Sequence, residues 1–123
     1  MNNGLHSFGC LHLSDGWKVE ACNAGLFISP AQGIHHGRVI DSYELILART
    51  GTLVLSEEAK VFALEQGDTL ILWPGRFHRG VAPYAPNTSF YWVHFFLRTD
   101  GPPPDIDGTV IPQHCRLPEP LSA

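Results

Sequence analysis

Positive charge is scarce in this 123-residue chain: eight lysines and arginines stand against twelve aspartates and glutamates, a formal net charge of −4. A domain that grips nucleic-acid phosphates unaided needs the opposite balance, gathered on one face, and no such basic cluster is present. Cysteine is also scarce. Cys10, Cys22 and Cys115 cannot all pair and none sits in a CxxC arrangement, an odd count that suits free thiols in a reducing cytoplasm. No basic segment followed by an apolar run opens the sequence, so no signal peptide is visible. The longest apolar stretches, such as SFYWVHFFL from Ser89 to Leu97, are too short to span a bilayer. A 3.6-residue apolar period of useful length is missing too, and with it any helix-turn-helix pattern. These absences leave a soluble, cytoplasmic, β-rich domain that binds neither nucleic acid nor membrane by itself.

What is present is an ordinary globular composition, 44% hydrophobic and 16% charged, in a length that supports one hydrophobic core. Short alternating runs separated by Gly, Pro, Asn and Asp predict strands at Gly9–Leu13, Lys18–Leu26, Tyr43–Arg49, Gly51–Ser56, Val61–Leu64, Thr69–Trp73, Ser89–Leu97 and Thr109–Pro112. The middle of the chain reads as a meander, with turns at Glu57 to Lys60 and Gln66 to Asp68. Strands this closely spaced point to a sandwich or barrel. RTDGPPPDIDG, from Arg98 to Gly108, carries three consecutive prolines and reads as a loop, because proline lacks the ladder N–H. The division expected is a ligand-binding unit over 1–112, with 1–33 supplying an arm and the first strands. A Pro-rich tail over 113–123 would begin a linker.

Three polar clusters interrupt this pattern. In GIHHGRVIDSYELILARTG, Gly33 to Gly51, the residues His36, Arg38 and Glu44 have the same parity, so an unbroken strand would aim them at one side. A turn near Asp41 and Ser42 would break that register. In GDTLILWPGRFHRG, Gly67 to Gly80, His78 follows a Pro-Gly stop. On the aromatic strand Phe90, Trp92 and His94 share a face. Each has an ordinary structural reading beside the functional one. Arg38 suits a solvated strand edge, His78 a structural position or the barrel rim, Phe90 and Trp92 the core, and His94 a core position satisfied by a neighbouring carbonyl. A buried Glu44 needs a partner, for which Arg38 and His78 are candidates. The three thiols have no activating base or helix N-terminus beside them.

The spacing Glu44-x6-Gly51 fits the second half of the first cupin motif, and Gly67-x6-Pro74-Gly75-x2-His78 resembles the second. The series YELILARTGTLVL, FALEQGDTLILWPGRFHRG, FYWVHFFL and VIPQHCRLPEP resembles, over roughly residues 35 to 120, the N-terminal cupin domain of AraC-type transcriptional regulators. That resemblance implies an all-β fold, a small antiparallel cupin (jelly-roll) β-barrel. It also implies a non-enzymatic role: sensing a small-molecule effector, for instance a sugar, with DNA binding carried by a separate domain and a homodimer allowed. Arg38 would then hydrogen-bond the ligand and Trp92 stack on it, with His36, Glu44, His78, His94 and Phe90 lining the pocket. No cofactor is required by this reading. Metal-binding cupins show His-x-His, then Glu, then His, and here Arg38 stands where the second histidine would be. The competing expectation is a metal-dependent cupin enzyme, an isomerase or dioxygenase, using His36, Glu44 and His78, with His35 the alternative to His36. A structural or dimerising cupin without ligand is the third reading.

Overall fold

The computed structural model describes residues 6–7, 9–14, 16–30, 33–99 and 108–118. In chain order its strands are β1 (His6–Ser7), β2 (Cys10–Ser14), β3 (Trp17–Ile28), β4 (Arg38–Val39), β5 (Tyr43–Thr50), β6 (Leu53–Glu57), β7 (Lys60–Leu64), β8 (Asp68–Leu72), β9 (Phe77–Gly80), β10 (Ser89–Thr99), β11 (Gly108–Pro112) and β12 (His114–Arg116). Every pairing is antiparallel, and the described residues contain no helix. The all-β, antiparallel architecture expected from the alternation is the one observed. All eight expected strands are present, with ends within two residues of those expected.

The strands form three sheets. The central one has the order β12-β8-β5-β10-β3; on its two sides lie β4-β9-β6-β7 and β1-β2-β11. Strand periodicity explains the layering. On β5, Ile46 and Ala48 face a cluster built with Leu53, Leu55, Leu64, Leu70, Leu72 and Phe90. The alternate residues Tyr43 and Leu45 join Ile71, Trp73 and Phe95 in a second cluster, which Leu11 and Ile111 cover. The central strands β5 and β8 are therefore buried on both faces, which is why YELIL and TLIL read as near-continuous apolar runs rather than alternating ones. Ile46, Leu55, Leu70 and Leu72 have no exposed surface, and burying each such side chain stabilises by about 1.5–3 kcal/mol.

Turn chemistry sets the hairpins. The β6–β7 connection is the two-residue turn Glu58-Ala59, with Glu58 at φ 52°, and Gly67 at φ 87° opens β8. Gly51, at φ 75°, leads out of β5, and a Cβ there would run into the Thr88 side chain, so only glycine fits.

A buried carboxylate ties the layers together. Glu57, 1% exposed, accepts from the Trp73 backbone N–H at 2.6 Å and from Gln113 Nε2 at 2.7 Å. Gln113 also donates through Nε2 to the Ile71 carbonyl at 3.0 Å, and its backbone joins Gly9 and Ile71 at 2.8 Å each. The tail beyond Pro112, expected to be irregular, thus continues into a further strand: His114–Arg116 pairs with β8. Arg116 fixes it, donating to Asp68 Oδ1 at 2.8 Å and to Glu65 Oε2 at 2.8 Å. Most of the proline-rich stretch read as a loop, 100–107, lies outside the described residues, as do 1–5 of the expected arm and 119–123 of the tail.

Candidate functional site

Between the central sheet and the β4-β9-β6-β7 sheet lies a cavity of about 420 Å³, within the range of about 300–1,000 Å³ of small-molecule pockets. Its apolar wall is Phe27, Ile34, Tyr84, Phe90 and Trp92; its polar wall is Asn23, His35, His36, Arg38, Glu44 and His94. Six of the seven residues singled out from the sequence line it. The seventh, His78, is fully buried and 3.8 Å from Glu44 Oε1. It is a core residue on β9, a structural position and not one on the rim, the two ordinary places that the Pro-Gly stop left open.

Convergence has a different origin from the one parity suggested. The chain bends at Asp41 and Ser42, so Arg38 belongs to β4 and Glu44 to β5, in facing sheets. They meet across the sandwich, with Arg38 Nη2 3.9 Å from Glu44 Oε1. β4 is carried there by β9, where Arg38 pairs with His78. His35 is seated by Gly80, whose N–H donates to the His35 carbonyl at 2.8 Å. A Cβ on Gly80 would come within 2.8 Å of the His35 nitrogen. The close approach that glycine permits turns His35 inward, its ring 5.2 Å from that of His78. His36 is exposed on the rim. Ligating atoms of His35, Glu44 and His78 all lie within 4.8 Å of one another. The grouping of possible metal ligands among the described residues therefore contains His35, in place of the His36 expected for the metal alternative.

Glu44 is the electrostatic centre. It is 2% exposed, and Oε1 has Arg38, His78 and His94 at 3.8–3.9 Å. None of these is at hydrogen-bond distance, and Oε1 has no hydrogen-bond partner. Burial pushes its carboxyl up to about 7, against the pull of the Arg38 guanidinium. His78 moves the other way, down to about 4, through burial and then the charges of His35, Arg38 and His94; the Arg76 backbone acts weakly against this. Neither ring nitrogen of His78 meets a hydrogen-bond partner. His35 and His94 are also lowered, chiefly by burial. His94 is held by Ser42 Oγ at 3.1 Å from Nδ1, a hydroxyl rather than the carbonyl expected. Near neutral pH His35, His78 and His94 therefore surround, as neutral imidazoles, one carboxyl poised to gain or lose a proton.

The aromatic wall is built by the β3–β10 pairing. Trp92 lies opposite Gly25, and a Cβ on Gly25 would lie 2.7 Å and 2.9 Å from indole carbons. The indole rests on bare backbone there. Phe27 stacks on Phe90 at 5.2 Å and meets Tyr84 at 5.6 Å. Of the segment expected to supply an arm and the first strands, β3 is the sheet strand expected there, and its Asn23 and Phe27 line the cavity. Gly25→Val is expected to swing the indole away, costing about 1–3 kcal/mol as overpacking does and changing tryptophan fluorescence. Unaltered emission and melting temperature would show that the indole is not seated on Gly25.

Tyr84, Asn23 and Phe27 escaped sequence reasoning, and His35 entered it only as the alternative to His36 for a third metal ligand. Tyr84 sits in an irregular segment, and only the glycine pattern at Gly25 and Gly80 carried any signal for the others. No family model matches this chain. Its sequence is 34% identical over 76 residues to the uncharacterized HTH-type transcriptional regulator YisR of Bacillus subtilis (strain 168), covering 57% of this chain and 26% of that protein. That relative is a transcriptional regulator. The chain spans about a quarter of its length. Solved structures that the fold resembles include the Schizosaccharomyces pombe Cnp3 cupin domain, at TM-score 0.49 and 12% identity over 72% of this chain and 64% of that one. A Momordica charantia 7S globulin is similar at TM-score 0.48 and 13% identity, covering 80% of this chain and 32% of that chain. Among the described residues, no helix is long and apolar enough to cross a membrane.

Proposed function

We propose that this chain is the effector-binding domain of an AraC-type transcriptional regulator. On this reading it takes a small polar molecule, for instance a sugar, into the cavity between its sheets. What supports the reading is the combination in one pocket of an unpaired buried carboxylate oxygen with an aromatic wall; the sequence likeness to a regulator is consistent with it. Glu44 accepts from a ligand hydroxyl, Arg38 donates to it through its fork of N–H groups, and Trp92 offers an apolar face. Phe90 backs that face, while His36, His78 and His94 line or buttress the polar end. Ligand occupancy then acts through the free-energy difference between bound and free conformations on an attached DNA-binding domain, in the cytoplasm and in a protein competent to dimerise.

The test is a thermal-shift screen of sugars and small organic acids. A ligand at 100 times its dissociation constant adds about 2.7 kcal/mol of stability. For a ligand so found, Arg38→Ala is expected to weaken binding about ten- to a hundredfold, the worth of a charge-assisted hydrogen bond of about 1.5–3 kcal/mol. Unchanged affinity in that variant, measured by calorimetry, would remove Arg38 from the site.

One observation favours a second reading, a metal-dependent cupin enzyme of the isomerase or dioxygenase kind: the convergence of His35, Glu44 and His78. The donor set suits a transition metal, because neutral imidazoles and an unpaired carboxylate oxygen are ligating forms. His35, Glu44 and His78 would hold the ion, which as a Lewis acid would polarise a bound oxygen. The Arg38 guanidinium 3.9 Å from the carboxylate opposes a second cation there. Stoichiometric Fe, Mn, Ni or Zn in the purified chain, lost on His78→Ala, would establish this reading over the first.

A further inference from the structure

The longest strand ends a sheet. β3 (Trp17–Ile28) pairs with β10 along one side. Among the described residues no strand pairs with its other side, and residues 18–24 are all exposed. Edge strands usually carry charges, prolines or bulges that prevent pairing with another chain. Here Lys18 and Glu20 lie near one end, the stretch from Ala21 to Ile28 has no charge, and the protective device is a bulge at Cys22, where the register steps from Asn23 to Ala21 between His94 and Phe95.

That bulge reverses the side-chain parity of the strand. Before it, Trp17 packs on the core cluster of the outer layer, so Val19 and Ala21 share its face. After it, Phe27 faces the opposite, inner cluster, so Ala24, Leu26 and Ile28 take the outer face. A strand with this reversal is complementary to itself. In an antiparallel pair, opposed residues project to the same side. Laying two copies of β3 together about a two-fold axis between Cys22 and Asn23 opposes Trp17 to Ile28, Val19 to Leu26 and Ala21 to Ala24. Each of these pairs is outer against outer. The register also uses all twelve residues of both strands, and it sets bulge beside bulge, so the irregularity is shared. Shifting it by one residue sets Val19 against Gly25 and Leu26 against Lys18, outer side chains against inner ones. Val19, Leu26 and Ile28, exposed by 61, 43 and 55%, are the apolar groups this register covers. Tyr91, 45% exposed beside Leu26, extends the patch onto β10.

We propose that two copies of this chain associate through β3, joining their central sheets into one continuous ten-stranded sheet in this bulge-to-bulge register. The inference is independent of what the cavity binds. Ladder hydrogen bonds along an edge about 40 Å long, at roughly 3.3 Å per residue, supply the affinity, and the apolar pairs fix the register. Asn23 and Phe27 of the same strand line the cavity on its inner face, so the interface and the pocket share one strand.

The test is sedimentation equilibrium of the chain over a dilution series, with far-UV circular dichroism to confirm that each variant folds. The unaltered chain is expected to be dimeric. Val19→Lys with Leu26→Lys opposes like charges twice in each dimer and is expected to weaken association at least tenfold. Chains carrying Val19→Lys alone and chains carrying Leu26→Glu alone are expected to form a mixed dimer in preference to either homodimer, because the register opposes those two positions. A monomer at every concentration, or a dimer indifferent to the double lysine variant, would overturn the proposal. A dimer that the lysines break without preferential mixing would overturn the register.

Discussion

Replacing Glu44 with glutamine is expected to make the protein more stable above neutrality, by about 3 kcal/mol near pH 8, although it removes a buried charged group from an apparent ion-pair cluster. The reason is desolvation. Burial raises this carboxyl from 4.5 to about 7; a rise of that size corresponds to about 3 kcal/mol of preference for the neutral form, at about 1.4 kcal/mol per tenfold. Arg38 offsets it only weakly, because its side chain is 49% exposed and 3.9 Å away. For a group whose pKa is raised on folding, the favourable balance is complete below the unfolded value and is lost as pH rises through the folded one. The native protein therefore loses stability between pH 4.5 and about 7 on account of Glu44, whereas the glutamine variant does not. His78 contributes the opposite slope. Lowered from 6.5 to about 4, it gives stability that is complete above 6.5 and lost as pH falls through 4. The two slopes partly cancel in the native protein, and Glu44→Gln exposes the histidine slope, to which the lowered His35 and His94 also contribute. Urea denaturation at several pH values measures both. A glutamine variant no more stable than the parent near pH 8, or an advantage that persists undiminished below pH 4.5, would show that the carboxylate is not the source of the cost. So costly a group in a cavity wall is consistent with the ligand-binding role proposed for it.

Glu57 provides the opposite case, a buried carboxylate whose removal is expected to be severe. Both of its oxygens are engaged, Oε2 by the Trp73 N–H and Oε1 by Gln113 Nε2, with Arg76 Nη1 at 3.4 Å. Glu57→Ala leaves the Trp73 backbone N–H and one N–H of the Gln113 amide without partners in the interior, the other staying on the Ile71 carbonyl, at about 1–3 kcal/mol each, and opens a cavity as well. The expected loss is about 3–5 kcal/mol, comparable with breaking a buried ion pair. Because Gln113 holds β12 against β8 and reaches Gly9, hydrogen exchange should rise first in 9–14 and 108–118. Arg76→Ala is expected to cost less than about 1 kcal/mol, since Arg76 is 41% exposed and its contact is long. A Glu57→Ala loss below about 1 kcal/mol in chemical denaturation would remove this network from the forces that join the layers. The contrast between the two glutamates is instructive: both are buried to 2% or less, and hydrogen bonding alone separates stabiliser from liability.

The sequence by itself determined the strands and the class of fold. Val, Ile, Leu and aromatic residues alternate or run together between Gly, Pro and Asn stops, and periodicity of that kind is a local property. β5, β8 and β10 were legible because each buries apolar side chains on a predictable face. Four short strands were not. β9 (Phe77–Gly80) inverts the usual signal, with Phe77 42% exposed and His78 fully buried, so its pattern reads as a turn. β4 has two residues and exists only because β9 is there to pair with it. The pocket was legible residue by residue, since Arg38, Glu44, Phe90, Trp92 and His94 all line it, yet the reason they meet was not. Parity along one strand is a statement about neighbours in sequence, and the bend at Asp41 and Ser42 ends it. What brings Arg38 to Glu44 is the spacing of two facing sheets, and what selects His35 over His36 is the close approach of the chain to Gly80. Glu57, read as part of a turn, became a core residue because Trp73 and Gln113 arrive from distant points in the chain to satisfy it. Local alternation decides which side chains a strand can bury. Which polar groups are buried together, and whether they find partners there, depends on contacts between residues far apart in sequence, and those exist only once the layers have packed.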